Sequence, residues 1–357
     1  MGARLRVVLD QLGHVVDADQ AAASADLVRG LIATTPSGCE VDAIVAAGAE
    51  VEIAGLAEVR RLPLARRELA ASWQMGITHG VGGGLIHAPT LMAPLVRHDR
   101  VHDNDQTTVT LWDLNAWEAP ETLSKTTVAW QRGMLRRAVK HADAVVVPSH
   151  AFAERLKELA KVGERVRVIA GAAPTGFAEP SDAAGRRSEL SLPEQYVVLV
   201  GSNASLEEGF RAAAAAGLDA VVLDVAEGTE PRLAEIASAA GLPEQRAHMR
   251  GPLPATDRAA VLSGASAFAA TSALTVWPWR AIEAMTLGVP VVAVESGIHR
   301  DVIADGGMLV DASELADAVV DAAGPGARRL RVLGADRSRA FSWASSGEKV
   351  WGLHAEL

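Results

Sequence analysis

The chain has 357 residues, 49% apolar and 22% charged, with a formal net charge of −10. That length suits two domains of about 150 residues, each with its own core, and the apolar content excludes global disorder. The acidity is uneven, −2 over residues 1–180 (19 Lys/Arg, 21 Asp/Glu) and −8 over 181–357 (15 and 23), which argues against a nucleic-acid partner.

Cys39 is the sole cysteine, so no internal disulfide framework exists, and a reducing, cytoplasmic setting is expected. No apolar run reaches the ~18 residues of a membrane span. Arg4–Asp10 (RLRVVLD) reads as a first strand, its apolar run being too short for a signal-peptide core. A helix over 21–32 and a strand over 41–45 follow. The segment 51–67 carries Arg60, Arg61, Arg66 and Arg67. These read either as a solvated basic face or as a contact for an acidic acceptor or for anionic lipid at the inner face of a membrane.

Gly80–Gly84 (GVGGG) lacks the G-x-G-x-x-G spacing and leads into Leu85-Ile-His-Ala-Pro89, a strand end and turn, not into a helix. Asp103-Asn104-Asp105 is turn chemistry ahead of a buried strand, Thr107–Asp113. Val128–His141 is an amphipathic helix. Ala142–Ser149 reads ADAVVVPS, and Ser149 caps a helix that runs to Lys161. Arg165–Ile169 closes the first domain.

Residues 178–190 are polar, with Pro and Gly, and read as an interdomain linker. Domains are therefore expected at 1–177 and 191–335, followed by a closing segment, 336–357. Tyr196–Gly201 and Ala220–Asp224 are strands, and Pro231–Ala240 is a helix. The most ordered stretch is Gly251–Asp311. There a helix (257–262), a strand (267–270), a polar loop (271–276), a helix (278–287) and strands 291–294 and 307–310 make a parallel α/β unit. Gly288 and Pro290 stop its second helix. Asp311, with Glu314 three residues on, caps a helix to Ala323. In such sheets ligands sit beyond the carboxyl ends of the strands, so the 271–283 segment is where a ligand is expected.

The order G-x-L…L…GA-x-A…S…EAM-x-x-G-x-PVVA…G…LVD in that stretch, with ADAVVVPS upstream, resembles the family-4 glycosyltransferases. The resemblance covers most of the chain and takes in Phe341–Leu357, where it implies a closing helix, within 336–357, that crosses back to the first domain. It implies an α/β fold of two Rossmann-like domains with parallel sheets facing across a cleft, the GT-B architecture. It also implies a retaining, metal-independent transfer from a UDP- or GDP-linked sugar, with no cofactor, to a glycan or lipid-linked acceptor. D-x-D holds a metal only in a different glycosyltransferase architecture.

Residue by residue, the resemblance implies a catalytic histidine where this chain has Trp112, followed by a retained Asp113. An Asn-Gly turn near the donor is replaced by Ala170-Gly171. An Arg-Lys pair that clamps the donor diphosphate, in the helix after Ser202, falls on Glu207 and Glu208. Of two glutamates eight apart, the first, at the donor sugar, is Thr275, and the second, at the ribose, is Glu283. Two attractive contacts turned repulsive cost a diphosphate several kcal/mol at ~4 kcal/mol each near a protein surface. Arg280, at the start of a ligand-facing helix, and Arg300 read either as substitute cations or as ordinary surface arginines. Trp277 and Trp279 read either as stacking platforms or as a plug filling the pocket.

Two functions stay open on this reading. One is a nucleotide-sugar-dependent glycosyltransferase in envelope or glycan assembly. The other is a catalytically inactive relative acting as partner or regulatory subunit of an active transferase, and under either reading a protein partner or a homo-oligomer stays open. Metal-binding Cys/His spacings, a G-x-S-x-G turn and a Walker loop are all absent from the sequence.

Overall fold

The computed structural model describes residues 3–12, 14–78, 80–99 and 105–357. The chain forms two compact units. The first runs to Ala172 and takes in Thr275–Trp277 and Phe341–Leu357; the second comprises Ala173–Leu274 and Pro278–Ala340. No helix among the described residues is long and apolar enough to cross a membrane.

The first unit contains β1 (Arg4–Val8), α1 (Ala18–Ala33), β2 (Glu40–Val45), β3 (Glu58–Arg61), α2 (Arg66–Gln74), β4 (Leu85–Ala88) and β5 (Gln106–Thr110). It continues with α3 (Asn115–Glu118), α4 (Lys125–His141), β6 (Ala144–Val147), α5 (His150–Leu159) and β7 (Val166–Val168). Seven strands form one parallel sheet in the order β3-β2-β1-β4-β5-β6-β7. β6 reads AVVV and is buried throughout, as a parallel strand covered on both faces must be. Ser149 caps α5, its hydroxyl accepting from the Phe152 N–H at 3.1 Å.

The second unit contains α6 (Ala183–Glu189), β8 (Tyr196–Val200), α7 (Leu206–Ala215), β9 (Asp219–Val222), α8 (Glu230–Ala239), β10 (Ala247–Met249) and α9 (Ala255–Ser263). After these come β11 (Ala267–Ala270), α10 (Trp279–Thr286), β12 (Val291–Val294), α11 (Gly297–Val302), β13 (Met308–Val310), α12 (Leu315–Ala323) and α13 (Ala327–Ser338). Its six parallel strands run β10-β9-β8-β11-β12-β13. This is the 3-2-1-4-5-6 winding of a doubly wound sheet, and the first unit has the same order with one strand added. The core of the second unit joins Leu199, Phe210, Leu233, Val292, Val319 and Leu330 across the sheet and its helices. Gly288 ends α10 at φ 66°, where the N–H groups of Gly288 and Val289 return to the carbonyls of Met285 and Ala284.

Several local expectations are corrected. The polar stretch 178–190 is not all linker: α6 lies within it, and Arg186 and Arg187 tie that helix to Asp257 (2.6 Å) and to the Ala260 carbonyl (3.1 Å) of α9. Asp311 does not cap a helix with its side chain; residues 312–314 form a 3-10 turn before α12. The helices α2 and α13 fall where no helix is expected from the sequence. Asp103 and Asn104 of the D-x-D triplet lie outside the described residues.

The closing helix, α14 (Trp343–Glu356), belongs to the first unit and packs on α1. Glycines at the crossing allow it: a Cβ on Gly347 would lie 2.7 Å from the Gly30 carbonyl carbon, and one on Gly30 would strike the Trp343 carbonyl. Trp351 Nε1 donates to the Leu31 carbonyl at 3.1 Å. Beneath the helix His354 Nδ1 meets Gln106 Oε1 at 2.9 Å, and His87 meets Thr108 Oγ1 at 2.8 Å. Burial pushes both imidazoles toward the neutral form, His87 to about 3 and His354 to about 4.

Candidate functional site

The second unit switches winding direction between β8 and β11, so its crevice opens at the carboxyl ends of those strands. Here the hydroxyls of Ser202, Ser205 and Thr271 converge: Ser202 to Ser205 at 3.1 Å, Ser205 to Thr271 at 2.9 Å. Ser205 also starts α7, yet its side chain caps no helix N–H. Glu207 and Glu208 follow in the first turn, and both pair with Arg211. That cation sits at the i+4 and i+3 spacing from Glu207 and Glu208 that lets helical side chains meet.

α10 starts beside this crevice. Its Glu283 is 1% exposed and receives Arg258 Nη2 at 2.6 Å and Nε at 3.1 Å, with Arg280 Nη1 at 3.2 Å. Arg280 in turn forks onto Asp224, Nε at 2.8 Å and Nη2 at 3.2 Å. Asp224 lies two residues past β9 at φ 60°, a left-handed conformation that aspartate tolerates better than most residues. The four side chains form one chain, Arg258–Glu283–Arg280–Asp224. A buried carboxylate needs such partners, because an unpaired charge in the interior is far costlier than a paired one. Of the two expected substitute cations, Arg280 is thus engaged by two carboxylates. Arg300 lies on α11, 64% exposed at its side chain, and pairs with Glu295 at 3.0 Å.

The remaining expected residues, Trp279 apart, fall in the first unit. Trp112 and Asp113 follow β5 and do not belong to it; Asp113 makes an isolated antiparallel bridge with Val276. Trp112 is 5% exposed, donates from Nε1 to the Pro89 carbonyl at 2.8 Å, and lies 6.4 Å from Trp277, ring centre to ring centre. Trp277 is 1% exposed and meets Phe341 edge to face at 5.8 Å. Trp277 is thus packed in the interior of the first unit, against Trp112 and Phe341. Trp279, half-buried, begins α10 in the second unit.

Thr275 is held by a carboxylate that the sequence reading does not anticipate. Its N–H and Oγ1 donate to Glu118 at 2.8 and 3.0 Å, and Arg155 Nε donates to the same glutamate at 2.7 Å. A negative charge therefore lies against the position where the family resemblance implies a glutamate, but it comes from α3, 157 residues away in sequence.

The first unit has its own switch point, between β1 and β4. Asp10 follows β1 there, buried, and pairs with Arg66 at 2.7 Å while accepting from Thr90 Oγ1 at 3.0 Å. Asp17 caps α1, and Gln20 Nε2 reaches both Asp17 (3.4 Å) and Asp113 (3.2 Å). Burial raises all three carboxyls above their ordinary range, Asp17 to about 6; for Asp10 it outweighs the nearby Arg66. The arginine cluster read from 51–67 is accordingly not one basic face. Arg66 serves Asp10, Arg61 and Arg67 are exposed, and Arg60 lies half-buried on β3. Among the described residues no group of three or more His, Cys, Asp or Glu converges as a metal site.

Residues 204–324 match the family model described as Glycosyl transferases group 1. No curated protein matches the sequence. Among solved structures, a sucrose-phosphate synthase from Thermosynechococcus elongatus is similar over 99% of this chain and 98% of its own, at 19% identity and a TM-score of 0.70. Anabaena HepE, solved with UDP and glucose, is similar over 99% and 100%, at 18% identity and a TM-score of 0.66. WaaG, a glycosyltransferase involved in lipopolysaccharide biosynthesis, is similar over 97% and 98%, at 12% identity and a TM-score of 0.65. At these identities the likeness establishes a shared fold of two Rossmann-like halves.

Proposed function

We propose that this protein is a group 1 glycosyltransferase of the GT-B architecture that takes its sugar from a nucleotide-sugar donor held by the second unit. One coincidence carries the reading. The stretch matched by the group 1 model, 204–324, contains α7, β11 and α10, the elements that border the β8/β11 switch point. Topology alone marks that crevice for a ligand. The structural relatives solved with UDP and with UDP-glucose support a uridine nucleotide sugar as the donor class. In this proposal the diphosphate lies at the N-terminus of α7, where Ser202, Ser205 and Thr271 supply hydroxyls and the helix supplies N–H groups and its positive end. Transfer proceeds with retention and without metal, to a glycan or lipid-linked acceptor.

The test is incubation with UDP- and GDP-sugars, with water as the slow acceptor. Release of the nucleoside diphosphate is expected for one donor, and the first-formed anomer, read by NMR, should match that of the donor. Ser202→Phe, which fills the mouth of the crevice, should abolish release. No release from any donor sinks the proposal.

A second reading has its own support. Glu207, Glu208, Glu283 and Glu295 already hold Arg211, Arg258, Arg280 and Arg300, so the guanidiniums nearest the crevice are matched by carboxylates. That balance suits an inactive relative acting as partner of a working transferase. Stable co-purification with an intact homologue, together with no nucleotide binding, would favour it.

A further inference from the structure

The glycine loop Gly80–Gly84 and the arginines Arg6 and Arg60 take no part in either switch-point crevice. The parallel register aligns Arg6 with Asp42 and Asp42 with Glu58, and puts Arg60 beside Ile44 two residues further on. Side chains at these positions share one sheet face, since strand side chains alternate with period two. Gly82 packs against this face. A Cβ built on it would lie 3.1 Å from Arg6 Nη1 and 3.2 Å from Arg60 Nη1, so the two guanidiniums approach within 6.3 Å (3.1 + 3.2) of each other.

Two like charges that close repel, and an anion held between them would relieve the repulsion. The carboxylates nearby are otherwise committed: Glu58 and Asp42 lie 3.2 and 3.6 Å from Arg4, and Asp105 accepts from the Gly84 N–H. Arg6 donates to the Val81 carbonyl at 2.9 Å, and neither Arg6 nor Arg60 forms an ion pair with a described residue. Burial, then Arg60, lowers the proton affinity of Arg6, while Asp42, Asp105 and Glu58 raise it. A cavity of about 480 Å³ opens in front of the pair, lined also by Asp42, Glu58 and Gly84. Asp42 is buried, and its Oδ1 has no hydrogen-bond partner among the described residues.

The geometry points to a binding site for a phosphate ester that carries hydroxyl groups, of the glycerol phosphate class, with Arg6 and Arg60 on the phosphate and Asp42 on a hydroxyl. Guanidinium forks match phosphate oxygens two at a time, and a tetrahedral anion can serve two forks at once. The hydroxyl supplies the donor that Asp42 Oδ1 lacks. The site lies at the opposite end of β1 from Asp10 and is independent of the donor crevice, so it stands or falls apart from the proposed transfer. The same chemistry comes from a free sugar phosphate or from the headgroup of an anionic phospholipid.

Two probes separate these sources. Saturation-transfer NMR of the full chain with glycerol 3-phosphate reads the free ligand, with glycerol as the phosphate-free control. Co-sedimentation with phosphatidylcholine vesicles, with and without phosphatidylglycerol, reads the headgroup. Arg60→Gln should weaken whichever probe binds by about tenfold to a hundredfold, and Arg60→Lys by less. Arg67→Gln, on the exposed part of the arginine cluster, should leave binding unchanged. The Tm of Arg60→Gln without ligand should not fall, because the substitution removes one of two facing like charges. Binding of neither probe, or binding that survives Arg60→Gln, overturns the assignment; so does a loss shared equally by Arg67→Gln.

Discussion

At the carboxyl ends of β1 and β4 the first unit gathers Asp10, Asp17 and Asp113, and burial leaves all three harder to ionise than usual. At the carboxyl ends of β8 and β9 the second unit instead interleaves its carboxylates with guanidiniums, Arg258–Glu283–Arg280–Asp224. The winding is the same and the charge design differs. Topology fixes where a crevice opens, while side chains far apart in sequence decide what it can hold. In the first unit the carboxyls are desolvated and poised to share protons or accept hydroxyls. In the second each acid is answered by a base, so an incoming diphosphate depends on N–H groups and hydroxyls more than on free cations.

The sharpest way to break this comparison is Arg258→Met, which keeps side-chain bulk but leaves Glu283 to Arg280 alone. Stripping one partner from a buried pair costs about 3–5 kcal/mol. Urea unfolding should show that loss, and the double variant with Glu283→Leu should recover most of it. A loss below ~1 kcal/mol in the single variant would mean the network is not structural.

The first unit answers to pH. The carboxyl of Asp17 sits at about 6 in the fold against an ordinary value near 4. A group raised in this way contributes stability that is present at low pH and is lost as pH rises through the folded value. Asp17→Asn keeps the α1 cap and removes the ionisation. The variant should exceed wild type by about 1–2 kcal/mol at pH 7, allowing for partial exposure of the carboxyl. The two should converge near pH 4. A difference that does not change with pH would remove Asp17 from the account.

Thr275→Val tests whether Glu118 organises the 275–277 segment. Losing the hydroxyl bond to a carboxylate should cost about 1–2 kcal/mol, measured in the same unfolding experiment, and no cost would make the contact incidental. Smallest of all, Arg211→Ala should change stability by under about 0.5 kcal/mol, since its pairs with Glu207 and Glu208 are surface pairs. It should, however, weaken binding of any diphosphate at α7, where both glutamates would then stand unopposed.

Much of the fold was legible because buried parallel strands are unbroken apolar runs, such as VVLV in β8 and VVAV in β12. Capping residues such as Ser149 and helix stops such as Gly288 are local signals, and both are found in place. What stayed hidden was non-local or lacked an apolar stripe. The helix α13 reads ARRLRVLGADRS and buries only Leu330 and Gly334. α6 is short and polar within a Pro- and Gly-bearing stretch. The partners of the expected site residues lie 25, 56 and 157 positions away, for Arg258–Glu283, Asp224–Arg280 and Glu118–Thr275. Arg211, at i+4 and i+3 from Glu207 and Glu208, is the one partner that local spacing could have found, and the sequence reading passed over it.

The most direct test of the central claim is calorimetric titration of the full chain with UDP and GDP, wild type beside Ser202→Phe. The account predicts a micromolar dissociation constant, about −8 kcal/mol, for one nucleotide, and its disappearance in Ser202→Phe. No heat of binding at millimolar nucleotide, or binding unaffected by Ser202→Phe, would contradict it.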